Sequence, residues 1–174
     1  VVLGFSGNPV VRWLYPDPDA FLRNFPAMVQ HLGGGAFASG GAYHADGFAG
    51  AAMWLPPNVY PDDEKLEALF AATLTEAQLE VVGPISREME AYYPEEPCWY
   101  LAFIAVDPPH QRRGLGSALM KHGIERCTRD GLPAYLEATS PENRAFYERH
   151  GFETLGKIQP GPAPPIWPML RRSP

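Results

Sequence analysis

Residues 99 to 117 read WYLAFIAVDPPHQRRGLGS. The apolar part, Trp99 to Val106, is aromatic, branched or small without a polar break, the pattern of a strand buried on both faces rather than an alternating surface strand. Asp107-Pro108-Pro109 stops it, because proline fixes φ and offers no N–H to continue a ladder. Gln111-Arg112-Arg113-Gly114-Leu115-Gly116-Ser117 then leads into a predicted helix with apolar positions at Leu115, Leu119, Ile124 and Cys127, ended by Gly131-Leu132-Pro133. The first turn of a helix carries backbone N–H groups without internal partners, and two glycines let a ligand come close to the main chain. With the positive end of the helix dipole and two arginines, such a turn favours a phosphate or pyrophosphate. No Lys-Ser/Thr pair follows the second glycine and the three-glycine dinucleotide pattern is missing, so neither a P-loop nor a Rossmann reading applies.

Downstream, Ala134-Tyr135-Leu136-Glu137-Ala138 reads as another short strand, and Thr139-Ser140-Pro141-Glu142-Asn143 as a helix start. Ser140 suits the cap, Pro141 the first helical position, and Glu142 sits three after Thr139 as in a capping box. That helix carries Ala145, Phe146 and Tyr147 and stops at Gly151, a residue suited to the left-handed conformation past a helix end. Upstream, Phe21, Leu22, Phe25, Met28, Val29 and Leu32 recur at helical spacing, and Gly33-Gly34-Gly35 ends them. Ala36 to Leu55 reads as a hairpin-like pair of strands with a turn near Asp46-Gly47. Residues 61 to 93 form a second helical region, with Asp62-Asp63-Glu64 as acidic first-turn material, Thr75-Glu76-Ala77-Gln78 as a capping-box start and Pro84 as an interruption.

Two of these motifs carry a resemblance. Gln111-Arg112-Arg113-Gly114-Leu115-Gly116 resembles the Q/R-x-x-G-x-G/A coenzyme loop of the GNAT superfamily of N-acetyltransferases. Asn143-Arg144-Ala145-Phe146-Tyr147-Glu148-Arg149-His150-Gly151-Phe152 is similar to that superfamily's N-x-x-F-Y-x-x-x-G-F signature, in the same order along the chain. LPAYLEATSPENRAFYERHGF from Leu132, the WYLAFIAVDP strand and Ile166-Trp167-Pro168-Met169-Leu170-Arg171 resemble, more narrowly, the puromycin N-acetyltransferase-like branch. Looser likenesses to that branch lie at Arg12-Trp13-Leu14-Tyr15-Pro16-Asp17-Pro18 and at Ala51-Ala52-Met53-Trp54 before Pro56-Pro57.

The resemblance implies an α/β (α+β) fold of the GNAT type: a mixed, mostly antiparallel central sheet flanked by helices on both faces and splayed around an acetyl-CoA site. It implies an acetyl-CoA-dependent N-acetyltransferase that moves an acetyl group directly to the amine of a small molecule. Carried over by motif, the backbone of Ile104, Ala105 and Val106 would bond the pantetheine arm. Gln111, Arg112, Arg113, Gly114, Leu115, Gly116 and Ser117 would cradle the pyrophosphate, and Asn143 would contact the coenzyme. Asn143 departs from the position seen in many members, where an asparagine lies about two helical turns before the tyrosine and Ser140 would be nearer. Tyr147 would protonate the departing thiolate, a phenol of pKa near 10 serving a thiol of pKa near 8.5; packing beside Phe146 is its alternative. The base is open between Glu137, Glu95 and Glu96, with Glu137 favoured by its place near the end of a predicted central strand, while His110 reads as a turn residue. Tyr92, Tyr93, Glu95 and Glu96 end the helical insert where an acceptor-specific wall is expected, the alternative being a solvated connection over packed aromatics.

Composition bounds the class. The 174 residues suit one domain over 1–174, 45% hydrophobic residues fill a core, and no apolar stretch is long enough to cross a membrane. A net charge of −6 argues against a nucleic-acid partner and favours a cationic or amine-bearing acceptor. Cys98 and Cys127 lack metal-ligand spacing, so no metal site is expected and two free thiols in a reducing cytoplasm are. The chain begins Val1-Val2-Leu3, and the resemblance implies a preceding N-terminal strand and part of a first helix. Expected partners are acetyl-CoA and a small amine, with no nucleic acid and no membrane, and the chain acting as a monomer or homodimer. Two other readings stay open: a GNAT-fold acyl-CoA-binding module without turnover, and a protein or peptide N-acetyltransferase, against which the proline-rich ends at Trp54-Leu55-Pro56-Pro57 and Pro164-Pro165-Ile166-Trp167 favour a walled pocket.

Overall fold

Alternating and uninterrupted apolar runs build one twisted sheet from β1 (Ala42–Ala45), β2 (Gly50–Leu55), β3 (Trp99–Val106), β4 (Ala134–Ala138), β5 (Glu153–Thr154) and β6 (Trp167–Arg171). The structure is a computed structural model and describes residues 1–173. Strand order is β1-β2-β3-β4-β6-β5, with every neighbouring pair antiparallel except β3 and β4. Among the described residues seven α-helices surround the sheet: α1 (Pro9–Leu14), α2 (Pro18–Gly33), α3 (Gly35–Ala38), α4 (Asp63–Thr73), α5 (Glu76–Tyr92), α6 (Leu115–Asp130) and α7 (Pro141–Glu148). The parallel pair is joined by α6, the crossover that such a pair requires. The expected mixed, mostly antiparallel sheet flanked by helices on both faces is therefore present.

Each face has its own core. Trp54, Trp99, Leu101, Leu136, Trp167 and Met169 pack with Leu119, Met120 and Cys127 of α6 and Tyr147 of α7. On the other face Met53, Leu55, Tyr100, Phe103, Tyr135 and Leu170 pack with Val11 and Leu14 of α1 and Phe21 and Phe25 of α2. Along β3 the alternation breaks once. Leu101 pairs Trp54 and Phe103 pairs Met53, so Ala102 is an extra residue, and the bulge puts Ala102 and Phe103 on the same face. A bulge bends its strand and strengthens the local twist. It stands just beyond the β3–β4 ladder, whose pairs are Trp99 with Ala134 and Tyr100 with Tyr135. From Leu101 onward β3 diverges from β4, and the two strands open into a V.

Four sequence expectations are corrected. The Ala36 to Leu55 segment opens with the short helix α3, and its first strand starts at Ala42; Ser39 and Gly41 return hydrogen bonds to Gly35 and Ala36, which closes residues 34–41 into a turn. Pro84 lies inside α5 rather than ending it. The helix continues because Val81, Ile85, Met89 and Tyr92 form one stripe against Ile158, Ala163 and Ile166, and this packing offsets the hydrogen bond that proline removes. Tyr92 thereby belongs to that core and not to an acceptor wall. The expected box of Thr139 with Glu142 does not form; Ser140 caps α7 by accepting from the Asn143 N–H, and the Thr139 hydroxyl accepts instead from the Asn8 side-chain amide at 2.6 Å. The Thr75–Gln78 capping box is present as read.

Gly123 of α6 lies directly against the sheet: an added Cβ would stand 2.3 Å from the indole of fully buried Trp54. Gly123→Ala is expected to destabilise the protein by about 1–2 kcal/mol, overpacking of about 1–3 kcal/mol being only partly offset by helix propensity of about 1 kcal/mol. Gly83→Ala in α5, where the nearest atom would be the Arg87 guanidinium at 3.6 Å, should stabilise by about 0.5–1 kcal/mol. Urea unfolding of the two variants measures the opposed signs.

Candidate active site

The crossover after β3 turns tightly. Pro108–His110 forms a 3₁₀ turn, Gln111 donates its side-chain amide to the Val106 carbonyl at 3.0 Å, and Arg112 and Gly114 take left-handed φ of 59° and 85°. Gly114 is the N-cap of α6 and no side chain caps the helix there. Among the described residues the backbone N–H groups of Arg112, Arg113, Gly114, Leu115, Gly116 and Ser117 find no acceptor, the first helical bond being Ala118 N–H to Gly114 O. Nothing lies within 4 Å of a Cβ built on Gly114, so the ground above the loop is open and the glycine is required by its φ. Gly116 differs: its Cβ would meet Phe146 and Val106 at 3.7 Å, in ordinary contact, so neither space nor φ requires a glycine there. A row of free donors at a helix N-terminus beside the exposed Arg112 and Arg113 fits a diphosphate. The unpaired edge of β3 from Leu101 to Val106 leads from that row into the V.

Two ionisable side chains flank the V from opposite faces. Tyr147 of α7 is 7% exposed, packed against Phe146 and Phe152 on the face of Leu136 and Ala138. Burial, and then the charge of Glu137, push its phenol well above the usual tyrosine range, so it holds its proton throughout neutral pH. Glu137 alternates with Leu136 and so faces the other side, where Tyr100 donates its hydroxyl to Oε2 at 2.9 Å. The carboxyl lies deep but its side chain stays partly exposed, and burial raises its pKa from 4.5 to about 7. Tyr135, two residues before Glu137 on the same face, is close enough to support the carboxylate's charge without making a hydrogen bond of good geometry.

Tyr93 packs on Tyr100 and Tyr135 with ring centroids 6.1 and 5.2 Å apart, and lies beside the buried Cys98. Its outer side lines a cavity of about 170 Å³ formed with Pro57, Tyr60, Glu95, Glu96 and Cys98, among others. Glu95 and Glu96 are exposed at this cavity, removed from the carboxylate that the tyrosines enclose. A larger cavity of about 390 Å³ lies away from the V, between β1 and α6. Asn143 is partly exposed in the first turn of α7 and makes no side-chain hydrogen bond among the described residues. His110 lies in the 3₁₀ turn, as a turn residue should. Cys98 and Cys127 are free and buried, and burial raises both thiols, Cys127 to about 12. Tyr100 and Tyr135 are the residues that sequence reading passed over. Tyr135 carried a signal, its i, i+2 spacing from Glu137 on one strand face, whereas Tyr100 stood inside a run in which every side chain read as core.

Residues 60–152 match the acetyltransferase (GNAT) family. An uncharacterized N-acetyltransferase of Schizosaccharomyces pombe is 24% identical over 168 residues, 87% of this chain and 67% of the yeast protein. Among solved structures, a Corynebacterium glutamicum protein described as histone acetyltransferase HPA2 and related acetyltransferase superposes with a TM-score of 0.68 at 25% identity, covering 99% of this chain and 87% of that one. Arylalkylamine N-acetyltransferase 2 of Aedes aegypti shares the fold at a TM-score of 0.62 and 13% identity, covering 98% and 90%.

A carboxyl that ionises near 7 when folded and near 4.5 when unfolded binds more protons in the folded state, so stability falls as pH rises through that window and levels off above it. Glu137→Gln removes this dependence. Urea unfolding is expected to show the variant gaining stability relative to the parent between pH 4.5 and 7, the gain levelling off by about pH 8.

Proposed function

The chain belongs to the acetyltransferase (GNAT) family, and on that premise we propose that it acetylates the amino group of a small molecule by direct transfer at the opening between β3 and β4. Acetyl-CoA is the family's cosubstrate and, when bound, supplies the acetyl thioester. In this reading the free N–H groups from Arg112 to Ser117 and the two arginines hold its diphosphate, and the β3 edge at Ile104, Ala105 and Val106 aligns its extended arm. Gln111 spends its amide on the Val106 carbonyl, so its part is to shape the loop. Asn143, free at the start of α7, is placed to add a polar contact.

The observation that carries the reading is the placement of a buried carboxyl and a buried phenol on opposite faces of the V. A protonated amine must lose a proton before it attacks, and Glu137, ionising near 7, accepts it at neutral pH. The departing thiolate needs a proton, and Tyr147 retains one at its hydroxyl. The two groups are coupled. Once Glu137 is protonated its charge no longer raises the Tyr147 pKa, so uptake of a proton on one face makes the phenol on the other a better donor.

The acceptor side supports a small cationic amine. The cavity beside Tyr93 has prolines and aromatic rings for walls and Glu95 and Glu96 at its border, and the whole chain carries a charge of −6. Likeness to the puromycin N-acetyltransferase-like branch puts puromycin among the acceptors to try. A second reading, acetylation of a peptide or protein amine, is favoured by the description of the Corynebacterium relative.

Thiol release from acetyl-CoA across puromycin, aminoglycosides, polyamines, amino acids and a lysine peptide tests both. Turnover confined to a small amine supports the first reading, turnover confined to the peptide the second, and coenzyme binding without release with any acceptor refutes both in favour of a binding module. With an acceptor in hand, Tyr147→Phe is expected to lower kcat on the order of 100-fold at pH 7 with acetyl-CoA affinity nearly unchanged. An unchanged kcat removes Tyr147 from the reaction.

A further inference from the structure

Among the described residues no cation pairs with Glu137 to hold its charge. The titratable groups on its side of the sheet are the phenols of Tyr100 on β3, Tyr135 on β4 and Tyr93 just after α5, and the Cys98 thiol before β3, while the Tyr147 phenol of α7 senses its charge from the other face. Across the sheet its β6 partner is Pro168, and the Asn8 and Thr139 side chains that meet beside the end of β4 are neutral. A carboxylate in such surroundings depends on donated hydrogen bonds, because burial favours its neutral form. Among the described residues the one side-chain hydrogen bond of good geometry to it comes from Tyr100, at 2.9 Å.

Tyr100 is built to keep that bond. It is 6% exposed, and its backbone forms the last β3–β4 pair, with Tyr135. Its ring is fixed against Tyr93 and Tyr135, with both centroids 6.1 Å away. From the apex of the V its hydroxyl reaches forward to Glu137, two residues beyond the end of the ladder on the opposite strand. Burial and the adjacent carboxylate keep the phenol protonated, so it is always a donor to Glu137. We propose that Tyr100 is a positioning residue that sets the pH at which Glu137 becomes competent as a base, its hydroxyl holding the carboxylate in the ionised form and aimed into the V. This rests on the reading of Glu137 as the group that deprotonates the amine.

The test is the pH dependence of kcat/KM, with the best acceptor from the panel, for the parent, Tyr100→Phe and Glu137→Gln. The limb set by the acceptor's own pKa is common to all three and serves as the reference. Phenylalanine keeps the ring and removes the donor, so the midpoint of the Glu137 limb should move up by about one pH unit, a tenfold change in the ionisation equilibrium, and the rates should converge above pH 9. Site-specific replacement of Tyr100 by 3-fluorotyrosine, a more acidic phenol and a stronger donor, should move the midpoint down. It carries the test even if the phenylalanine variant folds poorly. A midpoint that stays in place in both variants, or a rate lowered by one factor at every pH, overturns the role of Tyr100 while leaving Glu137 as the base. A Glu137→Gln enzyme that keeps the limb overturns the base assignment itself, and the role of Tyr100 with it.

Discussion

Two parallel strands that hydrogen-bond over only two residue pairs and then separate are the constraint on which the rest of this protein is arranged. A parallel ladder broken in mid-sheet leaves backbone donors and acceptors unpaired in the interior, an arrangement that is costly unless something else occupies them. The bulge at Ala102 enforces the break by bending β3, and the partner strands on either side keep it in place: β2 remains paired along β3 and β6 along β4. The opening is therefore a rigid feature of the sheet. An extended polar arm lying along β3 would satisfy the groups that β4 does not reach.

From this geometry the separation of charges follows. Successive residues of a strand point to opposite faces, so the V is met by the phenol of α7 on the side of Leu136 and Ala138 and by the carboxyl of Glu137 on the other. Sheet and side chains stand between the two groups, yet they are near enough for the charge of one to raise the pKa of the other. Low polarity raises both proton affinities, with different results at neutral pH. It brings the carboxyl up into the working range and keeps the phenol fully protonated. A carboxyl that ionises near 7 and a phenol that keeps its proton then flank one crevice.

Much of this was legible in the chain. The bounds of β3 and β4 coincide with the apolar runs at 99–106 and 134–138, because proline and glycine on either side leave the strands nowhere else to end. The glycine loop, the α7 start and the stop at Gly151 were readable because glycine alone takes positive φ without strain and proline's fixed φ suits a first helical position. Pro84 misled, since a proline's local preference for ending a helix is smaller than the packing of four side chains on a stripe that runs past it. Thr139 misled as well: its hydroxyl is taken by Asn8, 131 residues away in sequence, a competitor that no local pattern reveals.

The amino-acid sequence by itself determined the order of elements and the glycine turn before α6, and it narrowed the carboxyl to three glutamates and offered Tyr147 as the phenol, all of which depend on short-range backbone preference and on motifs only a few residues long. Tertiary structure decided what those groups can do. The bulge that opens the sheet arises from a register between β2 and β3, two strands separated by more than forty residues of helix and loop. The environment of Glu137 is assembled around β3, β4 and the end of α5, and only when these meet is the carboxyl largely desolvated, with the Tyr100 hydroxyl bonded to it. Ionisation in a protein interior depends on what surrounds a group in space, and that neighbourhood is made by long-range packing rather than by sequence neighbours.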